Sequence, residues 1–457
     1  MKKLIILYCI SAWVGLGACS VYKSYERPDM PVVDSLYRQA AATSADTTSI
    51  ASLSWRELFT DPKLQALIET GLQNNTDLNI ARLKVTEAEA TLMTSRLAYL
   101  PSISFEPAGT LRSVDGNAMT KSYDIAASAS WEVDIFGKLT NAKRGAKAAL
   151  EQSEAYRQAV QTQLIATIAN SYYSLLMLDA QLDISERTAA IWGENVRAMK
   201  ALKAAGDATE LAVAQSEASK LSVDASIASL RQQIDQMENT LTALLGIAPQ
   251  KIDRTTIGEQ RFPTELAAGV PLQLLQRRPD VRQSEAALAQ AFYATNAARA
   301  AFYPSITLSG SAGWTNAAGA AITNPGQWLF TAVGSLVQPL FNRGRNIANL
   351  RIAKAQQEEA LLSFRQSLLD AGTDVNNALI QWQTARQRQQ IDQQQILSLE
   401  STVRSSELLM QYSSQNYLEV LTARQTLLQA ELTAVSDRFD EIQGVINLYH
   451  ALGGGAE

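Results

Sequence analysis

Few side chains in this sequence could carry chemistry. Its 457 residues include one histidine, His450, and two cysteines, Cys9 and Cys19. A lone imidazole leaves no second histidine to pair with it as acid and base. Two thiols and one imidazole also fall short of a zinc finger, a disulfide scaffold or a His/Cys metal centre. His450 lies near the end of a helical run, where a cation complements the helix C-terminus, so it reads as structural. That leaves the carboxylates. An enzyme built on them needs paired Asp/Glu in an aromatic-lined cleft, and no such constellation stands out. The expectation is therefore no enzyme, no metal and no bound cofactor. Forty Lys+Arg against 45 Asp+Glu give a formal charge of −5, without the basic excess that nucleic acid calls for. With 46% hydrophobic and 19% charged residues, the composition is that of a folded chain.

Cys19 has a chemistry of its own. The chain opens Met1-Lys2-Lys3, continues with an apolar run from Leu4 to Leu16, and reaches Gly17-Ala18-Cys19. A basic start, a short apolar stretch and small residues make a secretory signal peptide, too short to read as a membrane span. Leu16-Gly17-Ala18-Cys19 resembles the bacterial lipobox, in which the thiol is lipidated and becomes the new N-terminus. Residues 1–18 are then removed, Cys19 carries a covalent lipid, and Ser20 after it implies sorting to the outer membrane. Cys9 leaves with the signal, so the mature chain has no free thiol, and its formal charge becomes about −7. No later window holds eighteen consecutive apolar residues. A mature chain that crosses a membrane must therefore do so as a closed β-barrel.

The elements that would build such a barrel occur twice. Proline is absent from Ala108 to Ala248 and from Leu340 to the end. These blocks are rich in Ala, Gln, Leu, Glu and Arg, as extended helices require. Tyr99-Leu100-Pro101-Ser102-Ile103-Ser104 aligns with Phe302-Tyr303-Pro304-Ser305-Ile306-Thr307, Arg96 with Arg299 and Asp77 with Asp280, all offset by 203. Ile135-Phe136-Gly137-Lys138 aligns with Leu340-Phe341-Asn342-Arg343, and Leu244-Leu245-Gly246 with Ala451-Leu452-Gly453, offset by 205 and 207. Preserved order at nearly constant spacing means an internal duplication. Each unit reads helix, strand, strand, long helix, helix, the first over 55–250 and the second over 251–457, after an N-terminal extension at 19–54.

Strands are expected at about 102–112, 122–134, 304–315 and 328–339 from their period-two alternation and bounding turns. Ser305 to Trp314 and Asp124 to Val133 alternate small polar with apolar residues; the stretch from Trp328 alternates poorly. Trp131, Trp314 and Trp328 fall near strand ends, as in an interfacial girdle. A soluble sandwich strand reads the same way by alternation alone. Ser113–Lys121 and Asn316–Gln327 read as the joining loops. Pro101 and Pro304 mark the passage from helix to strand. Arg277-Arg278-Pro279-Asp280 reads as a helix start, with Pro279 near N1 and Asp280 in the first turn. Toward the C-terminus Leu421, Leu428, Leu432, Val435, Phe439, Ile442, Ile446 and Tyr449 form a heptad seam, interrupted only by Gln425. The helix from about Lys138 to about Lys203 would extend roughly 100 Å. Four strands cannot close a membrane barrel, which needs at least eight, so a barrel implies several chains.

These segments resemble the outer-membrane factor family, the TolC/OprM-like trimeric channels, and within it the lipoprotein branch. The resemblance rests on Trp131-Glu132-Val133-Asp134-Ile135-Phe136-Gly137-Lys138, Leu275-Gln276-Arg277-Arg278-Pro279-Asp280-Val281-Arg282 and Ala300-Ala301-Phe302-Tyr303-Pro304-Ser305-Ile306. It also rests on Gln338-Pro339-Leu340-Phe341 and Tyr417-Leu418-Glu419-Val420-Leu421. It implies a mainly α-helical chain with a membrane β-barrel, in which a homotrimer shares twelve strands above a long periplasmic helical tunnel. The residues from Cys19 to about Ser54 would wrap the tunnel, and Gly453-Gly454-Gly455 would end near its waist. The implied function is passive conduction of drugs, toxic small molecules or metal ions, handed on by an inner-membrane RND-type pump through a periplasmic adaptor. The alternatives are a type I protein secretion conduit or a tethered periplasmic helical adaptor, though the duplication speaks against an adaptor. The resemblance also places a gate at the periplasmic tip. Glu419 would form a ring of acids that prefers cations, and Tyr412 would hold neighbouring helices. The chain departs from the family pattern at Thr422, where a second acid is usual. It departs again at Ser413-Ser414-Gln415-Asn416, two residues shorter than the usual glycine turn; the first repeat keeps a glycine, Gly206.

Overall fold

The computed structural model describes residues 22–29, 50, 53–113, 115, 119–262, 277–316, 326–412 and 417–456. The signal peptide, Cys19, most of the 19–54 extension, most of both strand-joining loops and Ser413–Asn416 lie outside these residues.

The duplication appears as matched element lengths. A short α1 (Trp55–Leu58) and α2 (Pro62–Asn74) lead in. Then α3 (Thr76–Leu97), β1 (Ser102–Arg112), β2 (Thr120–Val133), α4 (Lys138–Ala205) and α5 (Glu210–Leu244) follow. The second pass is α6 (Pro279–Ala300), β3 (Ser305–Thr315), β4 (Gln327–Val337), α7 (Arg345–Tyr412) and α8 (Tyr417–Ala451). Helices α3 and α6 have 22 residues each, α4 and α7 have 68, and α5 and α8 have 35. At 1.5 Å per residue, a 68-residue helix runs about 100 Å. Among the described residues no helix is long and apolar enough to cross a membrane.

The chain divides into two compact units. One comprises Met1–Asp29, Lys84–Glu154 and Gln283–Arg365 and carries the sheet. Its strands form an antiparallel meander, β1-β2-β3-β4. β2 begins at Thr120, earlier than its alternation indicates, because the ladder from Ser102 opposite Ser130 runs unbroken to Arg112 opposite Thr120. β4 ends at Val337, earlier than expected. Pro339 has no N–H to give a ladder, and the Gln338 side chain turns back to the Phe302 carbonyl at 3.0 Å. The passage from β2 into α4 explains the Asp134-Ile135-Phe136-Gly137-Lys138 motif. The Asp134 carboxylate accepts from the Leu139 and Thr140 amides at 3.1 and 2.7 Å, satisfying the open helix N-terminus. Gly137 takes φ +72°, which favours glycine.

The other unit comprises Met30–Leu83, Ala155–Arg282 and Gln366–Glu457. Its main core joins Trp55, Leu58, Phe59, Leu64 and Ile68 with Tyr172, Tyr173, Leu241, Ile442 and Ile446. A second cluster gathers Trp192, Met199, Val213, Val223, Tyr417 and Leu421. Of the expected α8 seam, Leu421, Ile442, Ile446 and Tyr449 are buried; Leu428, Leu432, Val435 and Phe439 are half-buried. Between the helices sit paired polar groups. Arg254 reaches Asp179 and Glu238, each at 2.5 Å. Asp61 caps α2. Burial raises the Asp61 pKa, but hydrogen bonds from Thr255, Tyr172, the Lys63 amide and Gln260 outweigh that and hold it below the usual range.

Candidate functional site

The sheet register turns alternation into a surface. Directly opposed residues in an antiparallel ladder share a face. Ile103 opposes Ala129, Ala129 opposes Gly310, and Gly310 opposes Ala332. One face therefore carries Ile103, Phe105 and Leu111 from β1, Ile125 and Trp131 from β2, Leu308 and Trp314 from β3, and Trp328, Phe330 and Leu336 from β4. The other carries Ser104, Glu106, Asp124, Ser128, Ser309 and Ser311. The register also explains β4's poor alternation: Leu329, Val333 and Val337 put apolar groups on its second face too.

A soluble sheet covers its apolar face with other parts of the fold. Here Ile103 is 77% exposed, Trp328 74% and Phe330 78%, so the apolar face is bare across the sheet, as at a surface that meets lipid or a partner. Strands of 11, 14, 11 and 11 residues match tilted membrane strands. The tryptophans mark both ends. Trp131 stands near the helix end of β2, its indole N–H donating to the Tyr99 carbonyl at 2.9 Å. Trp314 and Trp328 oppose each other at the far end, with ring centroids 4.9 Å apart. The opposite face is held by polar contacts such as Ser104 Oγ to Ser128 Oγ at 2.7 Å. One face suits hydrocarbon and the other water.

The turn joining α4 to α5 is glycine-made. Gly206 has φ +92°, its amide bonds the Lys203 carbonyl and the Asp207 amide bonds the Leu202 carbonyl, closing α4. Thr209 caps α5 through the Ala212 amide at 3.2 Å. At the start of α8, Tyr417 is buried, and its hydroxyl lies 2.5 Å from Ser216 Oγ on α5; burial raises its pKa. This contact escaped sequence reasoning, which assigned the tip tyrosine role to Tyr412. Tyr412 is the last residue of α7, and its side chain lies outside the described set. Glu419 is exposed in the first turn of α8 and makes no ion pair among the described residues. Its place in the first turn of a helix favours a carboxylate. One turn further, Arg424 pairs with Glu407 of α7.

The remaining sequence candidates are structural. Pro279 does start α6. Arg278 before it is buried and bonds Asp280 at 2.6 and 3.0 Å, Asp374 at 2.9 Å and the Ala451 carbonyl at 3.0 Å. It is thus Arg278, and not His450, that supplies the cation at the end of α8. Burial, then the Arg278 charge, pushes the His450 pKa down and favours the neutral ring. In the N-terminal extension, Tyr22–Asp29 lies against α6. The Tyr25 amide donates to the Tyr293 hydroxyl at 3.2 Å, and Arg27 pairs with Glu285. Among the described residues no group of three or more His, Cys, Asp or Glu could hold a metal.

A mainly helical chain with a four-stranded sheet, bare and apolar on one side, defines a membrane channel component. The chain belongs to the outer membrane efflux protein family, which it matches over residues 67–247 and 270–454. It is 30% identical to the cation efflux system protein CusC of Escherichia coli K12 over 453 residues, covering 98% of both chains. It is 29% identical to SilC of Salmonella typhimurium, a probable outer membrane lipoprotein, over all of this chain and 99% of that one. Its fold matches the open-state outer membrane channel MtrE of Neisseria gonorrhoeae with a TM-score of 0.87 and 28% identity, over 96% and 99% of the two chains. The protein is an efflux channel of the outer membrane. Its relatives are transport proteins, not enzymes.

Proposed function

We propose that three copies close one twelve-stranded barrel and passively conduct toxic cations or small molecules to the exterior. In this reading an inner-membrane RND-type pump and a periplasmic adaptor deliver the substrate. The observation that carries it is the sheet: one apolar face left bare, and outer strands β1 and β4 each paired on one side only. Barrels start at eight strands, so four per chain call for partners. The names of CusC and SilC favour cations and a lipoprotein. Cys19 carries the covalent lipid, Tyr412 braces the tip, and three Glu419 carboxylates near one axis repel each other and attract cations.

The test combines sizing with conductance. Detergent-extracted protein from the outer-membrane fraction should have trimer mass in both wild type and Cys19→Ser, with fatty-acid label only in wild type. In planar bilayers Glu419→Ala should raise single-channel conductance and lower cation preference. A monomer removes the shared barrel. A trimer whose conductance and selectivity ignore Glu419→Ala keeps the channel but moves the filter elsewhere.

A further inference from the structure

Two series of small buried residues run along α7 and α8 with a period of seven. On α8 they are Ala423, Ala430, Asp437, Gly444 and Ala451; on α7 they are Ala371, Ala378, Ala385 and Asp392. Contacts between the helices fix an antiparallel register. Glu407 pairs with Arg424, a Cβ on Gly444 would stand 2.9 Å from the Trp382 backbone, and the Asp392 and Asp437 carboxyls are within hydrogen-bonding reach. In that register Gly444 packs on Trp382, one turn from Ala385, and Asp437 falls beside Asp392. The two aspartates therefore occupy one layer of a seam that otherwise uses hydrogen atoms and methyl groups to bring the helices close.

Both carboxyls of the layer are buried. Asp437 is 1% exposed and Asp392 8%. Neither Asp437 carboxylate oxygen, nor Oδ2 of Asp392, has a partner in good hydrogen-bond geometry, although the Arg388 guanidinium touches Asp437 Oδ1. The surrounding charges do not balance them. From α7, half-exposed Arg388 makes an ion pair with Asp437 and stands 3.7 Å from Asp440. On α8, Asp440 adds negative charge, while Arg438 is engaged by Glu441 and by the Gln260 carbonyl of the segment after α5, at 3.0 Å. The Gln389 amide goes to the Asp437 backbone carbonyl and to Glu441, at 3.3 and 2.8 Å. One cation thus faces three carboxylates.

We infer that Asp392 and Asp437 hold one proton between them, as a carboxyl–carboxylate hydrogen bond that lets α7 and α8 close at this layer. Two ionised carboxylates in contact repel each other; protonating one turns it into the missing donor. The energetic direction agrees. Burial, then the neighbouring Asp392 carboxyl, raises the Asp437 pKa from 3.8 to about 6, against the lowering pull of Arg388. A group whose folded pKa is raised contributes stability that is complete below its unfolded value and is lost as pH rises through the folded one. The seam is therefore tightest in acid and loosens as pH passes about 6.

The full-length, detergent-extracted protein provides the test. Hydrogen exchange of peptides covering 385–395 and 433–445 is followed from pH 5 to 8 and corrected for the intrinsic pH dependence of exchange. Wild-type protection should fall roughly tenfold across this range. Asp392→Asn should flatten the dependence, because its amide donates to Asp437 without a titrating proton. Infrared spectra should show a buried protonated-carboxyl band in wild type at pH 5 that titrates near pH 6 and is missing from Asp392→Asn and Asp437→Asn. An equal pH slope in wild type and Asp392→Asn overturns the inference. So does a wild-type spectrum without the band, which needs no variant to fold.

Discussion

Substituting Gly444 by alanine isolates the geometry of the α7–α8 seam. Gly145, Gly193 and Gly444 lie inside long helices, so each gains about 1 kcal/mol of helix propensity on becoming alanine. What the new methyl meets differs. At Gly193 it would find the Lys220 side chain at 3.8 Å, and at Gly145 the Tyr293 Cβ at 3.6 Å, both ordinary contacts. At Gly444 it would find Trp382 N and Cα at 2.9 Å and Cβ at 3.0 Å. Carbon atoms pack best at about 3.5–4.0 Å, so the helices must separate by more than half an ångström. The obstacle is helix backbone, which cannot rotate away. Overpacking of this kind costs about 1–3 kcal/mol, and the separation also thins the contacts of Ile442, Val445 and Ile446 beside it. Gly444→Ala should therefore come out destabilised by about 1–2 kcal/mol after its propensity gain, and Gly193→Ala and Gly145→Ala stabilised by up to about 1 kcal/mol. A chain of this size need not unfold in one step. The assay is accordingly the midpoint of helix loss by circular dichroism together with hydrogen exchange over 378–392 and 437–451. A Gly444→Ala protein that melts at or above wild type with unchanged exchange in those peptides refutes the close-approach argument.

Two further pairs of substitutions test the sheet and the polar core. Ala127 and Ser128 are neighbours on opposite faces of β2, so Ala127→Arg places charge in hydrocarbon at a cost of about 2–4 kcal/mol, while Ser128→Arg faces the polar side. Outer-membrane yield should collapse for the first and hold for the second; equal yields would show that the apolar face does not meet lipid. Removing Arg254 leaves Glu238, 6% exposed, as an uncompensated buried charge, so Arg254→Ala should cost about 3–5 kcal/mol. Adding Glu238→Gln should recover part of that loss in denaturant midpoint. A double variant no more stable than the single one would place the loss in packing.

What was legible in the sequence followed the strength of each local signal. The duplication and the long helices could be read because proline-free, helix-forming blocks repeat at fixed spacing. β1, β2 and β3 could be read because one face of each is polar. β4 could be placed but its register could not, since Leu329, Val333 and Val337 make both its faces apolar, and only pairing with β3 fixes which residues face which side. Cation placement at the end of α8 was misread for a related reason. Proximity in sequence favoured His450, whereas the chain brings Arg278 to the Ala451 carbonyl from 173 residues away.

The α7–α8 seam was hidden by the way helical patterns are counted. A search for large apolar residues finds Leu421 through Tyr449 and predicts how α8 meets a core. It passes over Ala423, Ala430, Gly444 and Ala451, whose contribution is the absence of bulk. Small residues at period seven signal close approach of two backbones, just as large ones signal a core between them. An aspartate at period seven within such a series then stands out, because nothing on a tight seam solvates it. Asp437 and Asp392 each break their own series, and the antiparallel register makes the two breaks coincide. Coincidence on one layer is what separates a titrating pair from two unrelated surface acids. Moving the charge one layer along α8, with Asp437→Ala and Gly444→Asp combined, would therefore not transplant the pair, because the Trp382 backbone fills the space that the second carboxyl needs.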